Sequence, residues 1–171
     1  VAEVLPFCPG LTLTLVGGDR QPGYKQLVQQ EIANLGLQRV VRIRDAIDFS
    51  SLHKFMQAYD VFIHPSCHAE NGDCEGGAPI VLLDAQATGM PVISTEHCDI
   101  PSEVIQDKTG FLGKERDHKA LARYIRRFYK MTDKEYQKMA VSARQYVSSK
   151  YDIKRNAFRL GELYSKLVTS S

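Results

Sequence analysis

The chain has 171 residues, 43% of them hydrophobic, enough to bury a core as one domain without disulfide or metal staples. Its formal net charge of +2 creates no electrostatic demand for nucleic acid, and no nucleic-acid partner is expected. No apolar run approaches the ~20 residues of a membrane span and no basic, apolar, small-residue leader precedes Val1, so the expectation is a soluble, cytoplasmic chain.

Leu11 to Val16 alternates and then turns continuously apolar before Gly17-Gly18-Asp19-Arg20, which predicts a strand opening onto a ligand edge. Tyr24, Leu27, Val28, Ile32 and Leu35 recur at helical spacing, with Gly36 in the C-cap position. A second strand is expected over Val40 to Ile43, a helix over Ser51 to Tyr59 and a third strand over Val61 to Ile63. Strands alternating with helices predict a Rossmann-like α/β fold, a parallel sheet with helices on both faces, whose ligands bind at the carboxyl ends of the strands. His68 to Asp73 is polar and reads as a mobile loop over such a site.

The next stretch places an acid, a glycine turn, a helix start and a second acid in succession: Glu75, Gly76-Gly77, Ala78-Pro79 and Asp84. Gly76 and Gly77 let the backbone turn tightly beside a ligand, and Pro79 suits a first helical position. The amides from Ile80 through Val81 to Leu82 would then point along the helix dipole toward an anion such as a pyrophosphate. Carboxylates at 75 and 84 repel phosphate but hydrogen-bond well to sugar hydroxyls. The bland alternatives are that Glu75 caps the helix and that Asp84 is a structural acid paired to a neighbouring loop. The helix itself, over Pro79 to Thr88, is apolar almost all round and reads as buried between layers.

His97 and Glu103 fall in the loop and turn after the following strand, on the same rim. From Asp117 onward the chain is helical. Leu121, Tyr124, Ile125 and Phe128 form one stripe; Tyr136, Met139, Ala140, Ala143 and Val147 form a second, entered through a capping box at Thr132 to Glu135. Ile153, Ala157, Leu160, Tyr164 and Leu167 form a third, with Asp152 as N-cap. Arg123, Arg126, Arg127 and Lys130 read as a solvated face, a peripheral contact with the inner face of a membrane being the alternative.

Four cysteines, Cys8, Cys67, Cys74 and Cys98, are unevenly spaced, so free thiols are expected rather than a disulfide framework. Cys67, His68, Cys74, His97 and Cys98 are the residues a zinc ion would have to gather. No tight C-x2-C pair lies among them, and no metal is assigned.

The motif resembles the acid-seven-acid signature of retaining GT-B glycosyltransferases of family 4. The likeness continues through Asp60 to Ser66, Gly89 to Thr95, Ile100-Pro101-Ser102-Glu103-Val104-Ile105 and Thr109-Gly110-Phe111-Leu112, and covers nearly the whole chain. Glu75-Gly76-Gly77-Ala78-Pro79 is most similar to bacterial exopolysaccharide and colanic-acid-type enzymes. Here eight residues separate the two acids and the second is Asp, one methylene shorter than the usual Glu.

The resemblance implies the C-terminal, donor-binding domain of a hexosyltransferase, with Glu75 on the donor sugar and Asp84 on the ribose. Backbone groups of Arg44, Asp45 and Ala46 would read the base, and Arg44 would either stack on it or stand as a strand-end surface residue. It implies a UDP-hexose donor, UDP-glucose first, a saccharide or lipid-linked saccharide acceptor, and a partner N-terminal domain. No D-x-D pair is present, so no metal cofactor is expected and helix amides with Arg20 and Lys25 would neutralise the diphosphate. Val1 to Pro6 resembles the end of the family domain's first helix, so residues 1–171 are expected to form one donor-binding domain lacking its first strand and helix. A dinucleotide-binding oxidoreductase is disfavoured because G-x-G-x-x-G is absent. The remaining alternative is a non-catalytic nucleotide-binding or scaffold module on the same fold.

Overall fold

The computed structural model describes residues 1–18, 22–74 and 77–169. Arg20, Glu75 and Gly76, three of the expected site residues, lie outside them. Among the described residues five strands alternate with helices: β1 Leu13–Val16, α1 Tyr24–Asn34, β2 Val41–Arg44, α2 Phe49–Met56, β3 Phe62–His64, α3 Val81–Ala87, β4 Val92–Thr95, α4 Ile100–Glu103, β5 Gly110–Gly113, α5 His118–Tyr129, α6 Asp133–Lys150 and α7 Ile153–Thr169. Every strand pair is parallel, as the alternation requires. The described strands form two sheets, β1-β2 and β3-β4-β5, instead of one continuous sheet. The Tyr59 hydroxyl bridges the two units by donating to Thr14 Oγ1 at 3.0 Å.

Strand β4 is buried along its whole length, and its two faces feed two cores. Val92 packs with Met56, Leu82, Ala85, Met90, Ile100, Val104 and Leu112 on the α3 side. Ile93 packs with Phe111 and Met139 on the other, where Phe111 stacks on Tyr124 at 5.0 Å and tilts against Phe128 at 4.9 Å. Full burial of each such side chain contributes ~1.5–3 kcal/mol, so this central strand anchors the loops at its carboxyl end. Gly110, opposite Val92 in register, has no room for a Cβ, which would fall against the Val92 carbonyl oxygen.

Local signals place most helix ends. Gly36 takes φ +66° just past α1, Asp117 Oδ1 accepts from the Ala120 amide at 2.8 Å, and Thr132 and Glu135 form the reciprocal capping box. Asp152 Oδ1 likewise accepts from the Arg155 amide at 2.9 Å. Helix α3 differs from expectation. The Leu82 and Leu83 amides bond to the carbonyls of Pro79 and Ile80, so a tight turn precedes the helix and α3 starts at Val81. Nor is α3 buried all round: Leu82, Ala85 and Gln86 face inward, whereas Ala87 is exposed.

Helix α7 carries its apolar stripe outside, with Ile153, Phe158, Tyr164 and Leu167 all exposed. The basic face of α5 is partly engaged within the chain. Arg126 lies 4.1 Å over the Phe7 ring, and Arg127 pairs with Asp107 while covering Phe111. Among the described residues no helix is long and apolar enough to cross a membrane.

Candidate functional site

The described residues among those expected at the site lie toward the carboxyl ends of the strands in two groups. At the β1-β2 end, the Gly17 amide donates to the Arg44 carbonyl at 3.1 Å, and the space around Gly17 and Gly18 is open to a ligand. Lys25 Nζ donates to Asp45 Oδ1 at 2.8 Å and holds that carboxyl below its usual range. Lys25 therefore meets a protein carboxylate, not an open anion site. The pair is exposed and adds little to stability. Ala46 is exposed, and the Arg44 guanidinium sits 5.8 Å from the Phe55 ring, occupied with an aromatic partner of its own.

Between α2 and α3 lies a groove of about 290 Å³ lined by Phe49, Leu52, His53, Asp84, Thr88 and Arg144, among others. Asp84 enters it from the first turn of α3, and burial pushes its carboxyl above the ordinary value. Phe49, 78% exposed, stands at the mouth as a flat apolar surface. A carboxylate beside an exposed ring suits a group with hydroxyls at one end and a planar base at the other. Sequence reasoning missed Phe49 because it had placed the helix start two residues later, at Ser51.

The loop from β3 to α3 is fastened at its start, as far as His68, while residues 69–74 are exposed. Ser94 Oγ donates to the His64 carbonyl at 2.6 Å and Thr95 Oγ1 to the Ser66 carbonyl at 2.5 Å. The His68 amide donates to Glu115 Oε2 at 3.0 Å, and Arg116 donates to the His68 carbonyl. Farther along, the Asp99 amide donates to the Gly77 carbonyl at 2.9 Å. Of the three expected amides, Ile80 to Leu82, that of Leu82 is consumed by the turn, donating to the Pro79 carbonyl at 2.9 Å. The donors ahead of Leu82 are those of Ile80 and Val81.

His97 and Glu103 do not project from the rim. His97 is fully buried with Nδ1 2.7 Å from Glu115 Oε1, and hydrogen bonds from the His68 amide and from both imidazoles draw the Glu115 carboxyl down to about 2. Glu103 is 8% exposed, and burial next to Asp99 raises its carboxyl to about 7. Among the described residues Glu103 Oε2 has no hydrogen-bond partner. Glu115 was not foreseen, although it follows the carboxyl end of β5, the position where an α/β sheet places its functional groups.

The sequence profile of the family described as glycosyl transferases group 1 matches residues 7–146. This chain belongs to that family. The chain is 39% identical over 93 residues to WcaL of Escherichia coli, named as a colanic acid biosynthesis glycosyltransferase, covering 54% of the chain and 23% of that protein. It is 29% identical over 149 residues to the amylovoran biosynthesis glycosyltransferase AmsK of Erwinia amylovora, covering 85% of the chain and 36% of that protein. The chain thus spans about a quarter to a third of these relatives. Among solved structures, HepE of Anabaena in complex with UDP superposes with a TM-score of 0.81 at 23% identity, over 96% of this chain and 44% of that one. The likeness establishes the fold, the Rossmann-like α/β arrangement of a GT-B glycosyltransferase's C-terminal half.

Proposed function

We propose that this group 1 glycosyltransferase chain is the donor-binding part of a retaining hexosyltransferase that uses a UDP-hexose, UDP-glucose first, in polysaccharide biosynthesis. The observation that carries the reading is Asp84, held in the α2–α3 groove beside the exposed Phe49 ring and separated from Glu75 by eight residues in sequence. Asp84 binds the ribose hydroxyls and Phe49 lies against the base, with the backbone of Arg44, Asp45 and Ala46 on its edge. Gly17 and Gly18 leave room for the diphosphate, which the amides of Ile80 and Val81 and the side chain of Arg20 neutralise without a metal ion. Glu75 orients the donor sugar.

The names of WcaL and AmsK support polysaccharide assembly as the setting, and HepE, solved with UDP and with UDP-glucose, supports the donor class. The acceptor, a saccharide or lipid-linked saccharide, is met by a separate N-terminal domain. The exposed apolar stripe of α7 is consistent with such a partner.

Calorimetric titration with UDP, GDP and ADP, each with and without its sugar, tests this reading. UDP and UDP-glucose are expected to bind more tightly than the other pairs. Absence of binding by every nucleotide replaces the transferase reading with that of a non-catalytic scaffold.

A further inference from the structure

Two histidines and a cysteine from separate loops converge just ahead of the donor motif. The ligand atoms of His68, His97 and Cys98 all lie within 4.8 Å of one another. Cys98 Sγ is 3.4 Å from His97 Nε2, close to the edge length of about 3.4–3.7 Å that a tetrahedral zinc site with ordinary Zn–N and Zn–S bonds requires. The orientation of the rings is equally specific. Glu115 Oε1 lies 2.7 Å from His97 Nδ1 and 3.0 Å from His68 Nδ1. An ionised carboxylate only accepts, so each Nδ1 carries the proton and each Nε2 keeps its lone pair for a cation. A carboxylate behind the histidines is the arrangement that fixes tautomer and aim in protein metal sites.

A second thiol stands nearby: Cys74 is exposed, in no disulfide and a neighbour of Cys98, with its sulfur outside the 4.8 Å set. Cys98 itself takes φ +42°, a left-handed conformation uncommon outside glycine.

We propose that His68, His97 and Cys98 hold zinc or another thiophilic divalent cation, with Glu115 as the carboxylate that orients both imidazoles and the nearby Cys74 closing onto the ion as the fourth, tetrahedral ligand. The ion would lock the β3–α3 loop to the β4–α4 turn at the residue immediately before Glu75. It sits on protein ligands and takes no part in neutralising the diphosphate, so the site stands or falls independently of the donor reading. The sequence offers these residues among five candidates but assigns no metal, because the two halves, residues 68–74 and 97–98, are joined only by the fold.

The test is cobalt(II) titration of the reduced, chelator-treated chain, followed by zinc competition and elemental analysis. One equivalent per chain is expected, with the visible bands of tetrahedral cobalt and a thiolate charge-transfer band, both abolished by zinc. Cys74→Ser and Cys98→Ser should each weaken binding by more than tenfold and diminish the charge-transfer band. Glu115→Gln should weaken it by ~10–100-fold while keeping the band, and Cys67→Ser should change nothing. His68→Ala, altering a half-exposed side chain, serves as the ligand variant that keeps the fold, checked by circular dichroism. Non-stoichiometric binding by the reduced chain, an octahedral cobalt spectrum, unaltered binding by Cys98→Ser, or a Cys74–Cys98 disulfide in freshly purified protein would each overturn the proposal.

Discussion

A Cβ on Gly77 would stand 2.7 Å from Asp99 Oδ2, so the turn that enters α3 is built directly against the turn that enters α4. The Gly77 carbonyl also accepts the Asp99 amide, which ties the two turns together. Gly77→Ala must swing the Asp99 carboxylate aside. Because that carboxylate is the flexible end of a side chain, thermal stability should change little, whereas UDP-glucose affinity should fall roughly tenfold, ~1.4 kcal/mol, as the loop shifts. Unchanged affinity with a large loss of stability would show the contact to be purely structural.

Gly110→Ala is the contrasting case. Here the new methyl group meets the backbone carbonyl of Val92 in the central strand, which cannot rotate away. Destabilisation of ~2–4 kcal/mol is expected, in the range of severe overpacking, and denaturant unfolding measures it. A loss below ~1 kcal/mol contradicts the packing described for β4 and β5.

Much of this architecture is legible in the sequence because its causes are local. Thr132 and Glu135 are three residues apart and cap one helix, Gly36 supplies a left-handed residue where α1 ends, and apolar Val92-Ile93 after Pro91 announces a buried strand. What was not legible depends on partners distant in the chain. Glu115 meets His68 across 47 positions and His97 across 18, so the anchor at the start of the polar loop is invisible to local patterns. The start of α3 shifted because Leu82 and Leu83 can close a tighter turn on Pro79 and Ile80, a competition that helix periodicity does not register.

Replacing Asp84 with Asn keeps the side chain's size while removing its charge. If ribose hydroxyls depend on this carboxylate, UDP affinity should weaken by ~1–3 kcal/mol. Equal affinities, accompanied by a lower melting temperature, would mark Asp84 as a structural acid.

Glu103 makes stability depend on pH in a defined direction. Its folded pKa of about 7 lies above the ordinary 4.5, so the native state holds the proton more tightly than the unfolded chain. The resulting stabilisation is fully present below about pH 4.5 and is lost as pH rises through 7. Glu103→Gln, always neutral, should therefore gain stability relative to the parent protein between pH 5 and about 8. Melting temperatures across that range that differ by a constant amount would refute the assignment.

Glu75→Gln addresses the sugar end of the site. If the chain works with an acceptor domain as proposed, the variant in that assembled enzyme should leave the fold intact and reduce transfer by ~100-fold or more, the effect of losing one preorganised electrostatic group. Transfer at the parent rate would remove Glu75 from the donor site.

The most direct measurement is calorimetric binding of UDP and UDP-glucose to the isolated chain, with and without added magnesium, alongside a transfer assay. The account predicts binding in the micromolar to millimolar range, unchanged by magnesium, and no transfer, because the acceptor side of the cleft belongs to another domain. Nucleotide binding that appears only with magnesium, or no binding up to ~1 mM, would contradict a metal-free donor site in this chain.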